Sequence, residues 1–109
     1  MSFADKTIIV TGATSGIGRA AARAFGGNRG SVVVVGRQET ELAEVVREVR
    51  AAGGQAVPCV ADVTSEDAPA RIVAAALEMF RRIDVLVNAA GIIAAATLEA
   101  TTDELWDRN

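Results

Sequence analysis

Eight consecutive residues, Thr11-Gly12-Ala13-Thr14-Ser15-Gly16-Ile17-Gly18, constrain this chain more than any others. They follow the apolar run Thr7-Ile8-Ile9-Val10 and precede the helix-prone Arg19-Ala20-Ala21-Ala22-Arg23-Ala24-Phe25. Strand, glycine turn and helix, in that order, are the setting in which a glycine-rich loop cradles the phosphates of a dinucleotide. Gly12 would turn the chain sharply off the strand, Gly16 would admit a pyrophosphate against bare backbone, and Gly18 would let the helix pack close to the sheet. The helix start then aims unpaired N–H groups and the positive end of its dipole at the phosphates, with Thr14 and Ser15 adding hydroxyl donors. The competing reading is an ordinary glycine-rich turn, because the spacing is G-x-x-x-G-x-G and not G-x-G-x-x-G.

The rest of the chain repeats the alternation of strand and helix. Gly26-Gly27-Asn28-Arg29-Gly30 is a breaker cluster expected to end the first helix. Ser31-Val32-Val33-Val34-Val35 is a continuous β-branched run, as in a strand covered on both faces. Leu42, Val45, Val46 and Val49 recur at helical spacing, and Gly53-Gly54 ends that helix. Gln55 to Val60 reads as a third strand interrupted by Pro58, a residue tolerated mainly at sheet edges. Ser65 is placed to cap a helix with Glu66, Asp67 and Pro69 in its first turn and Ile72, Val73, Ala76, Leu77 and Phe80 as its apolar stripe. Ile83-Asp84-Val85-Leu86-Val87 reads as a fourth strand, Asn88 to Ala96 as a small-residue loop, and Thr101 or Thr102 as the start of another helix through Trp106. Right-handed crossovers make a parallel sheet nearly obligatory, and a doubly wound α/β sheet of order 3-2-1-4 would place Pro58 on an edge strand.

In such a sheet, ligands bind beyond the carboxyl ends of the strands, so the residues just past each strand are the informative ones. Past the second strand stand Gly36 and Arg37, about 20 residues beyond Gly18, where an acid commonly holds the ribose 2′-hydroxyl. An arginine there can fork onto a 2′-phosphate, a charge-assisted contact worth about 1.5–3 kcal/mol, or roughly ten- to a hundredfold in favour of NADP(H) over NAD(H). The alternative is a solvated Arg37 paired with Glu39 or Glu41. Past the third strand, Asp62 can accept from an adenine amino group while Val63 packs on the ring; otherwise Asp62 serves as a helix cap ahead of Thr64 and Ser65. Past the fourth, the small residues of Asn88-Ala89-Ala90-Gly91 permit close approach of a ribose and nicotinamide. Asn88 serves either the ribose or a tie between neighbouring strands.

Together these segments resemble the N-terminal half of the short-chain dehydrogenase/reductase family, along nearly the whole chain. The resemblance implies a Rossmann-like fold with its second half absent. It assigns TGATSGIG to the pyrophosphate, Arg37 to the NADP phosphate, Asp62 and Val63 to adenine, and Asn88-Ala89-Ala90-Gly91 to the cofactor and sheet. The family usually has a second Asn where Ala89 stands, and NADP-preferring members often carry a basic residue where Ser15 stands. The implied reaction transfers a hydride between NADP(H) and a carbonyl or alcohol, with a Tyr-x-x-x-Lys pair managing the proton and a Ser orienting the substrate carbonyl. Here there is no tyrosine and no histidine, and the single lysine is Lys6. Residues 1–109 are therefore expected to be one cofactor-binding domain, truncated after the start of the fifth helix and inactive alone. The alternatives are a dinucleotide-binding module without chemistry, or an interaction protein that pairs through the apolar edge of the fourth strand, as a homo-oligomer or an aggregate.

Composition narrows the partners. A net charge of −3 without a basic block argues against nucleic acid or an anionic membrane. Cys59 is the only cysteine, and its apolar surroundings suit a buried, reduced thiol. No metal or triad constellation is present. The first residues lack a signal-peptide pattern, and no apolar stretch reaches the roughly 18 residues of a membrane span, so a soluble cytoplasmic protein is expected.

Overall fold

A computed structural model of the chain describes residues 2–89. It contains β1 (Thr7–Thr11), α1 (Gly16–Gly27), β2 (Ser31–Gly36), α2 (Glu39–Ala51), β3 (Gln55–Val60), α3 (Ala68–Phe80) and β4 (Val85–Asn88). The strands form one sheet of order β3-β2-β1-β4, and every pairing is parallel. Register runs from Thr7 opposite Ser31 to Thr11 opposite Val35, and from Ile8 opposite Val85 to Thr11 opposite Asn88. The expected topology is the one found, with Pro58 on the outer strand β3.

The β-branched runs form strands because both of their faces are covered. Ile8, Val10, Val32 and Val34 point to one side, into a core completed by Ala22 of α1 and by Leu42, Val45, Val46 and Val49 of α2. Ile9, Val33 and Val35 point to the other, where Ala68, Ile72 and Ala76 of α3 meet them with Cys59. Side-chain alternation along a strand thus feeds two cores from one valine run. Burial among apolar neighbours pushes the Cys59 thiol up, against the smaller opposing effect of the Arg71 charge.

Three boundaries differ from the sequence expectation. First, α1 runs through Gly26 to Gly27 and is not stopped ahead of them. The glycines serve a close approach: a Cβ on Gly26 would lie 2.7 Å from Val49 Cγ1, and one on Gly54 would lie 2.7 Å from the Gly26 Cα. Second, α3 starts at Ala68, and its N-cap Asp67 makes no side-chain capping bond. Residues 62–65 instead form a turn closed by the Ser65 N–H on the Asp62 carbonyl at 2.9 Å. Ala68, Ile72 and Ala76 define the buried face of α3, while Val73 and Leu77 are 41% and 46% exposed, one step further round the helix. Third, β4 begins at Val85, and Asp84 just ahead of it is bonded to Thr7 of β1 through both its backbone and its side chain. Its N–H donates to the Thr7 carbonyl at 2.9 Å and its Oδ2 accepts from the Thr7 N–H at 2.8 Å. The loop beyond Ala89 and the helix expected near Thr101 lie outside the described residues. Among the described residues no helix is long and apolar enough to cross a membrane.

Candidate functional site: the loop after β1 and its groove

Parallel pairing brings the carboxyl ends of all four strands to one side of the molecule. The turn off β1 is made by Gly12, whose φ of 62° belongs to the left-handed region that favours glycine. Ala13 is buried, with its N–H on the Val35 carbonyl at 3.1 Å, so the loop is fastened to β2. Ser15 is the N-cap of α1. Its hydroxyl donates to the Gly12 carbonyl at 2.7 Å and accepts from the Gly18 N–H at 3.1 Å. Its hydrogen is therefore committed inside the loop, a difference from the expectation that it points outward as a donor.

The two later glycines answer to different neighbours. A Cβ on Gly18 would sit 2.0 Å from the Gly12 carbonyl oxygen, so the close contact is with the turn itself and not with the sheet beyond. A Cβ on Gly16 would meet nothing within 4 Å. Gly16 and Ile17 occupy the first turn of α1, where N–H groups have no partner within the helix, and Ile17 is 54% exposed. Bare backbone beside open space at a helix start suits an anionic group.

Next to this loop is a groove of about 340 Å³ lined by Gly12, Thr14, Gly36, Arg37, Ala61, Asp62, Val63 and Thr64. It unites five of the residues singled out in the sequence, namely Gly12, Thr14, Arg37, Asp62 and Val63. Among the described residues no ion pair joins Arg37 to Glu39 or Glu41. Asp62 Oδ1 accepts from the Thr64 hydroxyl at 2.6 Å and from the Thr64 N–H at 2.9 Å. These bonds hold the Asp62 carboxyl below its usual range, with a lesser contribution from the Arg37 charge. Thr64 is the member of the groove that sequence reasoning misses. The Asp-x-Thr spacing of an Asx-turn was the available sign that it fixes the carboxylate. A larger hollow, about 640 Å³ and lined by Asp5, Arg29, Gln55 and Arg82 among others, lies by the starts of the strands, away from the loop.

At the end of β4, the Thr11 hydroxyl donates to Asn88 Oδ1 at 2.9 Å and the Ala89 N–H donates to the Thr11 carbonyl at 3.2 Å. Asn88 thus ties β4 to β1, one of the two roles open to it. Ala89 is buried; Ala90 and Gly91 lie outside the described residues. Among the described residues no cluster of His, Cys, Asp and Glu could hold a metal ion.

A doubly wound parallel sheet with a glycine loop between its first strand and helix defines an α/β domain of the nucleotide-binding type. The chain belongs to the short chain dehydrogenases: the family model matches residues 6–109. It is 42% identical over 102 residues to a short chain dehydrogenase of Pseudocercospora fijiensis, covering 94% of this chain and 32% of that protein. A metagenomic short-chain oxidoreductase solved in complex with NADP superposes with a TM-score of 0.73 at 38% identity, over 79% of this chain and 39% of its own. An NADH-dependent reductase complexed with NAD gives 0.72 at 33% identity, over 79% and 36%. The chain spans about a third of the length of the curated relatives it matches.

Proposed function

We propose that these residues hold a nicotinamide dinucleotide, as the cofactor-binding domain of an oxidoreductase acting between a carbonyl and an alcohol. The observation that carries this reading is the open backbone at Gly16, at the start of α1 and beside the groove that contains Arg37 and Asp62. The α1 amides would take the pyrophosphate, and Asp62 and Val63 the adenine. Asn88, Ala89, Ala90 and Gly91 would lie against the ribose and nicotinamide. Related folds are solved with NADP and with NAD, so the family admits either cofactor. Arg37, which forms no ion pair among the described residues, favours NADP(H) here.

The cofactor supplies the hydride, and this chain's residues bind and orient it. Without a tyrosine, and with Lys6 as its single lysine, the sequence has no Tyr–Lys pair to exchange the proton. Binding without turnover is the expected behaviour of the 109 residues alone. The buried Cys59 suits a reducing compartment, and the cytoplasm is the proposed location. A second reading, association through β4, is favoured by Leu86, which is 53% exposed on that strand. Light scattering against concentration tests it, and a monomer throughout would remove it.

Titration of the purified chain with NADPH and NADH, followed by cofactor fluorescence, tests the main reading. The expected result is tighter binding of NADPH by about ten- to a hundredfold, with the order reversed in Arg37→Asp. Equal affinities would remove the role of Arg37, and no binding of either cofactor would overturn the proposal.

A further inference from the structure

The outer edge of β3 carries a feature that cofactor binding does not explain. Among the described residues β3 has a neighbour, β2, on one side only. The Gln55 N–H donates to the Gly30 carbonyl at 3.0 Å, and the Ala61 N–H, just past the strand, donates to the Gly36 carbonyl at 2.9 Å. Backbone groups alternate sides along a strand, so those of Ala56, Pro58 and Val60 face away from β2. An Arg50 Nη2 group from α2 donates to the Ala56 carbonyl at 3.0 Å. An Arg71 Nη2 group from α3 donates to the Val60 carbonyl at 2.8 Å. Between these two, Pro58 has no N–H to offer.

The two helices lie on opposite faces of the sheet, so the arginines bracket the edge from above and below. Among the described residues neither guanidinium forms an ion pair with a carboxylate. Their charge therefore faces whatever approaches, and a second copy of this chain would bring the same two cations to the contact. We propose that Arg50, Pro58 and Arg71 together close the β3 edge against strand addition by another copy of this chain. Two outward carbonyls are already occupied, the donor between them is missing, and the flanking charges repel their like. Any one of these features would weaken a β-ladder; together they leave no run of backbone groups along which one could form.

The triple variant Arg50→Met, Pro58→Val, Arg71→Met keeps the long side-chain stems and restores the missing donor. Sedimentation velocity across a concentration series, with amide hydrogen exchange at Ala56 and Val60, reads the outcome. Self-association through β3 should strengthen by about a hundredfold, and both amides should exchange more slowly as concentration rises. In the native chain their exchange should not depend on concentration. Concentration-independent exchange in the folded variant, or slowing already present in the native chain, overturns the proposal. If circular dichroism shows the triple variant unfolded, Arg50→Met with Arg71→Met in the presence of Pro58 takes its place. There, slowing of about tenfold at the two amides supports the block and none overturns it.

Discussion

A methyl group at Gly16 would touch nothing within 4 Å, whereas one at Gly18 would lie 2.0 Å from a backbone carbonyl oxygen. Equivalent substitutions at the two positions should therefore fail in different ways. Gly16→Val should leave the melting temperature near that of the native chain, within about 1 kcal/mol for the loss of a helix-start glycine, yet abolish cofactor binding. Gly18→Ala must push α1 away from the turn and should cost about 2–4 kcal/mol, read as an earlier midpoint in urea. Normal binding by Gly16→Val would mean that the loop is not a phosphate seat. Both glycines were legible as special from their place between strand and helix. Which one faces open space and which one faces backbone was not, because that depends on where the Gly12 carbonyl points. The same holds for Ser15: the sequence offers it as a hydroxyl donor, and its bonds to Gly12 and Gly18 make it the N-cap of α1.

Between elements, the contact of α1 with α2 is set by glycines at one end and charge at the other. Arg19 of α1 forms a bidentate pair with Glu48 of α2, with Glu44 and Arg23 nearby. The Arg19 hydrogen bonds hold the Glu48 carboxyl below its usual range. With both side chains 33% exposed, the pair is a modest contributor. At the other end Gly26 lies against Val49, which is fully buried. Gly26→Ala gains helix propensity but places a Cβ 2.7 Å from Val49 Cγ1 and 3.0 Å from the Val49 carbonyl oxygen. The net expectation is a loss of about 1–2 kcal/mol by thermal unfolding. An unchanged or raised melting temperature would show that the helices can separate there without penalty. From the sequence, the glycines after Phe25 look like a helix stop, since glycine is a poor helix former. The packing partner that reverses this reading stands more than twenty positions away.

For the molecule as a whole, Asp84 fastens the start of β4 to the start of β1. Arg82 pairs with its carboxylate through two bonds of 2.8 and 2.7 Å, and the buried Thr7 supplies an N–H. The Arg82 guanidinium first, and the Thr7 N–H second, hold the Asp84 carboxyl below the usual carboxylate range. A carboxyl with a depressed folded pKa stabilises above its unfolded value of about 3.9 and loses that contribution as pH falls through the folded value. Asp84→Ala should cost about 1–3 kcal/mol at neutral pH, since it leaves the Thr7 N–H without its acceptor. The gap from the native chain should narrow on acidification below about pH 4, as the native carboxyl protonates. A gap that stays constant down to strong acid would show that the charge of Asp84 contributes nothing.

The sequence by itself determined the alternation of strands and helices, the parallel character of the sheet and the family resemblance. These follow from periodicity, β-branched runs and a local glycine string, all of which act over a few residues. Only the tertiary structure decided how the end of α1 packs against Val49 and that Asn88 joins two strands. Those outcomes depend on atoms that the chain brings together from distant positions, and hydrogen-bond and van der Waals forces act at ångström range whatever the separation in sequence.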